Sequence, residues 1–240
     1  MEDELDETLF SRWPEIYRGR HEPLSRNLMG FGFECRNGWF GILDALSSVL
    51  TIHARALDRP PPRALQVKEK FGTLRFYAHG DDAFDTGAIA LAEEMSARIC
   101  ETSGAPGRLS LRGGWYATFS PAVAAQKGFV SRPSADNGLL TPVPAAEIPR
   151  ILTERWPTIA LAEASIPGGW YDIADALARR LSLQDTNPKV PLHRRLALKE
   201  IDGALAIALA KPAPEDRGTV AMAIALAERV DPVTGCARIR

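Results

Sequence analysis

The chain has 240 residues, with 29 Lys plus Arg against 30 Asp plus Glu and a formal net charge of −1. A hydrophobic fraction of 45% with 25% charged residues is enough to bury a core; it excludes intrinsic disorder and leaves no cationic excess for wrapping nucleic acid through bulk charge. There is no run of 18 apolar residues to span a bilayer, and the start Met1-Glu2-Asp3-Glu4-Leu5-Asp6-Glu7 is acidic where a secretory signal is basic, so a cytoplasmic protein is expected.

In chain order, Arg12-Trp13-Pro14-Glu15-Ile16 reads as a short Trp-Pro helix. Beyond Asn37-Gly38, the residues Trp39, Ile42, Leu43, Leu46, Val49, Leu50 and His53 recur at three- and four-residue spacing, an amphipathic helix stopped by Pro60-Pro61-Pro62. Leu65, Val67, Leu74 and Phe76 then alternate with Gln66, Lys68, Thr73, Arg75 and Tyr77 around Gly72, which predicts a β-hairpin with one buried face. Asp85 or Thr86 can cap a second helix carrying Ile89, Ala92, Met95, Ser96 and Ile99 on one side. Residues 128–149, with four prolines and Asn137-Gly138, read as a linker.

The order then repeats. Shifted by 131 positions, residues 38–104 align without a gap on 169–235, with 20 identities over 67 positions, where ordinary composition gives roughly four or five by chance. Gly38-Trp39 falls on Gly169-Trp170, Asp44 on Asp175, Lys68-Glu69 on Lys199-Glu200, Gly72 on Gly203, Gly87 on Gly218 and Arg98 on Arg229. Trp13-Pro14 recurs as Trp156-Pro157 at a shift of 143. The expected fold is α+β: a tandem duplication of a helix–hairpin–helix unit, the two pseudo-symmetric copies spanning 1–127 and 150–240. The hairpins are expected to join one sheet or to be sandwiched by helices.

Cys35-Arg36-Asn37-Gly38-Trp39, Gln66-Val67-Lys68-Glu69-Lys70-Phe71-Gly72-Thr73-Leu74-Arg75-Phe76-Tyr77 and Ile99-Cys100-Glu101 together resemble a family of uncharacterised bacterial and phage proteins, over about residues 30–124. In that family the second helix leads into a Cys-x-x-Cys … Cys-x-x-His zinc knuckle. Cys100, Gly104, Pro106, Gly107, Gly114, Trp115 and Thr118 match the pattern, whereas Ser103, Ser120 and Val123 stand where the other three ligands would be. Serine and valine supply neither thiolate nor imidazole. The resemblance therefore implies a degenerate knuckle, a phage or mobile-element connection, no cofactor and no agreed activity.

The leading candidate surface is the outer hairpin face, with Lys68, Lys70, Phe71, Arg75 and Tyr77; cations interleaved with rings suit an acidic protein partner or a phosphate backbone. The second copy lacks it, having Ile201, Asp202, Ala206 and Ala208 at the places of Lys70, Phe71, Arg75 and Tyr77. The two Gly-Trp tryptophans and the two Trp-Pro tryptophans read as packing anchors, Asp44 and Asp175 as surface or cap carboxylates with a paired catalytic role as the alternative. His21, His53, His79 and His193 form no catalytic spacing, Cys35 reads as a buried thiol or as one activated beside Arg36, and no phosphate loop is present. The helix Ala221–Ala227 is apolar almost all round, which implies burial between copies or a homodimer contact.

Three functions stay open: a non-enzymatic interaction protein gripping an acidic protein through the first hairpin, a nucleic-acid binder using the same hairpin and the knuckle remnant, and, last, an enzyme with Asp44, Glu69, Lys70 and Arg75 in a cleft. Purified protein is expected to carry no stoichiometric zinc; one equivalent found by elemental analysis would contradict the degenerate-knuckle reading.

Overall fold

Proline sets the first boundary. In the computed structural model, which describes residues 1–132, 139–183 and 194–239, α1 (Asp3–Arg12) ends directly before Trp13-Pro14 and α5 (Ile148–Arg155) directly before Trp156-Pro157. A residue preceding proline is driven out of the helical region, so the Trp-Pro pair, expected within a helix, is its stop signal. His193 and linker residues 133–138 lie outside the described residues. Of the remaining linker, Val130–Ser131 forms a short strand, Val143 is buried and α5 already begins at Ile148.

Each Gly-Trp pair makes a tight turn into a helix, Asn37–Trp39 into α2 (Phe40–Ala56) and Gly168–Trp170 into α6 (Tyr171–Leu183). Both indoles are buried. Trp39 Nε1 donates to Ile99 O (2.9 Å) and Trp170 Nε1 to Val230 O (3.3 Å). β1 (Arg63–Lys70) and β2 (Thr73–His79) form the first hairpin; β7 (Arg194–Ile201) and β8 (Ala204–Leu209) form the second. The buried face of the first is Ala64, Val67, Leu74 and Phe76. Leu65 is only half-buried, because a register break between Ala64 and Gln66 interrupts the alternation that the sequence suggested.

The hairpins do not join. β1–β2 is a sheet of its own, whereas β6 (Ile159–Ser165) runs parallel to β7 and makes the second sheet three-stranded. In the first half Glu34 alone takes that place: its N–H donates to Val67 O (3.0 Å) and its carbonyl accepts from Glu69 N (2.8 Å). The outer edge of β2 is closed by the next helix, α3 (Ala83–Ser96), as Ser96 Oγ accepts from Leu74 N and Glu93 Oε1 from Phe76 N, satisfying N–H groups an edge strand otherwise leaves open. The cap of α3 is Asp82 rather than Asp85 or Thr86. Asp82 accepts from Asp85 N (3.0 Å), and the Asp85 carboxylate reaches back to Asp82 N (3.2 Å), a reciprocal capping box. A third small sheet, β3 (Arg108–Arg112), β4 (Trp115–Phe119) and β5 (Val130–Ser131), with α4 (Pro121–Lys127), follows α3.

One apolar core runs through both halves, and its centre is the crossing of α3 with α7 (Pro214–Ala227). Gly87 and Gly218 make that crossing possible: a Cβ at Gly87 would lie 1.9 Å from Glu215 O, and one at Gly218 would lie 1.8 Å from Phe84 O. α7 spends the buried part of its apolar surface, Met222, Ala223, Leu226 and Ala227, inside this chain. Reciprocal ion pairs flank the crossing. Arg98 Nη1 of the first half donates to Asp175 Oδ2 (2.7 Å), and Arg229 Nε of the second donates to Asp44 Oδ2 (2.7 Å). Each aspartate is also held by its own half: Arg12 and the Trp13 indole on Asp44, Arg155 and the Trp156 indole on Asp175, all at 2.8–2.9 Å. Further bonds recur at the 131-residue offset, among them Gly107 N to Arg98 O and Arg238 N to Arg229 O, both 2.8 Å. Among the described residues no helix is long and apolar enough to cross a membrane.

Gly218→Ala is expected to destabilise by about 3 kcal/mol in denaturant titration, the upper range for overpacking, and the Gly87→Ala/Gly218→Ala pair by less than the sum, since one crossing is disrupted twice. Asp175→Asn, which removes the carboxylate nearest Arg98 and leaves it Glu94 and Asp172, is expected to cost about 3 kcal/mol, the low end for breaking a buried pair, measured by the same titration at pH 7.

Candidate functional site

The cross-strand register places Lys68 opposite Arg75, Gln66 opposite Tyr77 and Lys70 opposite Thr73, so the predicted ridge occupies one outer face. Its rings are exposed, Phe71 by 68% and Tyr77 by 43%. The Lys68 ammonium lies 5.7 Å from the Tyr77 ring and Lys70 lies 5.5 Å from Phe71, both within cation–π range. Neither lysine has an ion-pair partner among the described residues. Arg75 is different: half-buried, it donates to Thr73 Oγ1 and Leu74 O (both 2.7 Å) and is tied into the strand.

Phe71 sits at φ +55° and Gly72 at φ +80°, matched by Asp202 (+52°) and Gly203 (+82°) in the second hairpin. Such two-residue turns favour Asn, Asp or Gly at the first position; aspartate suits it, and phenylalanine is a strained choice whose ring points to solvent. The tip is anchored: a Cβ at Gly72 would lie 2.5 Å from Leu109 Cδ1, and Thr118 Oγ1 donates to Gly72 O (2.7 Å).

Glu69, out of phase with the lysines, turns to the other side and lines a cleft of about 550 Å³ between the hairpin, the Arg36 segment and the β3–β4–α4 unit. Glu101, 5% exposed, forms part of its wall. Its backbone is fixed at both ends, Glu101 N donating to Thr118 O (2.9 Å) and Glu101 O accepting from Gly38 N (2.7 Å). Oε1 accepts from Arg36 N (3.2 Å). Burial pushes the Glu101 carboxyl up, and Glu69 adds to it against the pull of Arg36, to about 7. Arg36, Arg112 and Lys127 bring positive charge to the same cleft, and Trp115, 76% exposed, brings an open ring face.

The other candidates resolve into structural roles. Asp44 and Asp175 are buried, not surface groups. Burial alone would raise both carboxyls; Arg229, the Trp13 indole and Arg12 hold Asp44 down, and Arg98, Arg155 and the Trp156 indole hold Asp175 down. Neither is open to a substrate. The four-residue catalytic cleft is not assembled, since Glu69 and Arg75 line separate depressions and Asp44 lines neither. Cys35 is buried, and burial pushes its thiol up to about 12, so the activated reading is overturned. His53 stacks on Phe84 (3.8 Å between centroids) and its Nε2 lies 2.9 Å from Asp82. With Asp85 these groups have metal-like spacing, but Arg59 Nη2 already bridges Asp82 (2.8 Å) and Asp85 (2.6 Å).

The knuckle positions do not fit zinc. Cys100 packs with Ala117, Phe119 and Ala124 in a small apolar cluster that Val123 and Phe129 border, and Ser120 caps α4. None of these neighbours supplies the thiolate or imidazole that a zinc site needs beside Cys100. The cleft residues Trp115, Arg112, Lys127 and Glu101 were not singled out by sequence as a site. A tryptophan beside the Gly113-Gly114 turn was the available signal, since loop tips lie at the surface and often carry function. No family model, curated protein or solved structure matches the chain.

Glu101 makes a pH-dependent contribution to stability. Its folded value is raised, so between its ordinary 4.5 and about 7 the folded state holds a proton that the unfolded state has lost. Stability falls as pH rises through that window and levels off above it. Glu101→Gln is expected to remove this slope and to raise Tm at pH 8, measured by thermal melts from pH 4.5 to 8.

Proposed function

We propose that the protein is a non-enzymatic interaction module, built by tandem duplication of a helix–hairpin–helix unit, that captures an acidic protein partner on the outer face of its first hairpin. The repeated hydrogen bonds at the 131-residue offset and the mirrored Arg–Asp pairs support the duplication. The observation that carries the binding reading is Phe71: a large ring kept exposed in a left-handed turn that the second hairpin fills with Asp202. Residues that cost stability and make no internal contact of matching value concentrate at working surfaces. Lys68 and Lys70 beside Phe71 and Tyr77 give the face its sign: carboxylates would meet unpaired ammonium groups, and the rings supply the desolvated centre that an interface needs.

Phe71→Asn removes the ring and suits the turn. It is expected to stabilise the fold by about 1 kcal/mol while abolishing capture. Lys68→Glu/Lys70→Glu is expected to abolish capture with Tm nearly unchanged; Arg75 is a poorer probe because its hydrogen bonds belong to the strand. Affinity capture from native lysate with nuclease, at low and high salt, is the measurement. Enrichment of an acidic protein that both variants lose supports the reading; equal capture by the variants, or capture abolished by nuclease, contradicts it.

A further inference from the structure

The cleft beside the hairpin holds a set of groups that the protein-binding face does not use. Trp115 is the most exposed large hydrophobic residue among those described, at 76%. It stands on a strand whose backbone is paired with β3, Arg112 opposite Trp115, so the ring projects from an ordered backbone. Arg112 donates to Lys127 O (2.7 Å) and lies over Phe129 at 4.9 Å; Lys127 lies over Phe119 at 5.9 Å. Neither has an ion-pair partner among the described residues. Arg36 meets Glu101 only at 3.9 Å, with its side chain 58% exposed. Opposite these cations the cleft presents the carboxyl groups of Glu101 and Glu69.

Each ligand class meets this set differently. A carboxylate-rich peptide would meet Glu69 and Glu101, and a simple cation would meet three positive side chains. A nucleotide satisfies all of it: its base offers a π-face to Trp115 and N–H donors to a carboxylate, and its phosphate takes the guanidinium and ammonium groups. Three cations against two carboxyl groups, of which Glu101 is raised to about 7, leave a local charge of at least 3 − 2 = +1, suited to a phosphate and too small to show in the balance of the whole chain. The volume, about 550 Å³, lies within the range of small-molecule sites.

We propose that this cleft binds a nucleotide, with the base stacked on Trp115 and its N–H edge on Glu101, and the phosphate held by Arg112, Lys127 and Arg36. A base with two adjacent N–H donors, as in guanine, fits a carboxylate better than one with a single donor.

The test uses the full-length protein and a fluorescein-labelled seven-nucleotide single-stranded RNA containing G, read by polarisation at 50 mM and 200 mM salt, with GMP, AMP, CMP and UMP as competitors. Binding is expected to weaken roughly tenfold in Trp115→Ala, the scale of one lost stack. Arg112→Ala is expected to weaken it and to lower the salt slope by about one, while Glu101→Gln narrows the preference for G over the other bases. Full competition by GMP identifies a free nucleotide as the ligand; competition only by unlabelled RNA identifies a strand. Lys68→Glu/Lys70→Glu serves as the control that separates this site from the protein-binding face and is expected to change little. No polarisation change for the RNA together with no effect of GMP on intrinsic fluorescence at millimolar concentration, unchanged affinity in Trp115→Ala, or binding lost in the lysine variant instead would each overturn the proposal.

Discussion

Two buried aspartates, each held by an arginine from the opposite half of the chain, tie this protein together. Asp175 is fully buried against a fully buried Arg98, and Asp44 is nearly so against Arg229. An ion pair removed from water gains stability only when its remaining hydrogen-bonding capacity is filled. Here it is filled by a second arginine and an indole N–H on each carboxylate, 2.7–2.9 Å away in the principal contacts. These pairs are also selective, because Arg98 just past α3 must meet Asp175 on α6, and Arg229 just past α7 must meet Asp44 on α2. The apolar surfaces alone, rich in alanine along α7, would tolerate several registers. The close approach at Gly87 and Gly218 joins α3 to α7 directly, and the two arginines tie the far ends of these helices to α6 and α2.

Given that frame, the two halves differ where a scaffold is free to differ. The second half has a full strand, β6, beside its hairpin; the first has only the Glu34 bridge there, and it adds the β3–β4–α4 unit that builds the cleft wall. The hairpin turns share one backbone geometry and differ in residue, Asp202 following local preference and Phe71 departing from it. Local choices that contradict local preference stand out against an otherwise consistent fold. Phe71, exposed Trp115 and the Glu101 carboxyl in the cleft wall are three such departures, all in the first half and all around the β1–β2 tip and the unit packed on it.

Much of this was legible in the residues. The 3.6-residue stripe of α2 and the alternation around Gly72 marked helix and hairpin, and the 131-residue offset paired Asp44 with Asp175 and Gly87 with Gly218 before any packing was known. What stayed hidden depended on distant partners. A helix-borne aspartate looks solvent-facing until an arginine 185 positions away is seen to reach it. β6 is alanine-rich, with weak strand preference, and exists through pairing with a strand some 35 residues on. The break at Leu65 adjoins Ala64, whose N–H donates to the distant Ile16 O. Cys100 gave no hint that it packs with Ala117, Phe119 and Ala124 in a small apolar cluster of its own. The cleft was missed because its members are scattered from Arg36 to Phe129 and their charges nearly cancel.

Together the reciprocal Arg–Asp pairs and the glycine crossing make both halves one cooperative unit. Native-state hydrogen exchange across a series of sub-denaturing urea concentrations tests it most directly. Amides of α3 around Gly87 and of α7 around Gly218 are expected to share the highest protection and to converge on one opening free energy with one urea dependence. Exchange of either helix through its own lower-energy opening, while the other stays protected, would show instead that the halves are separate units.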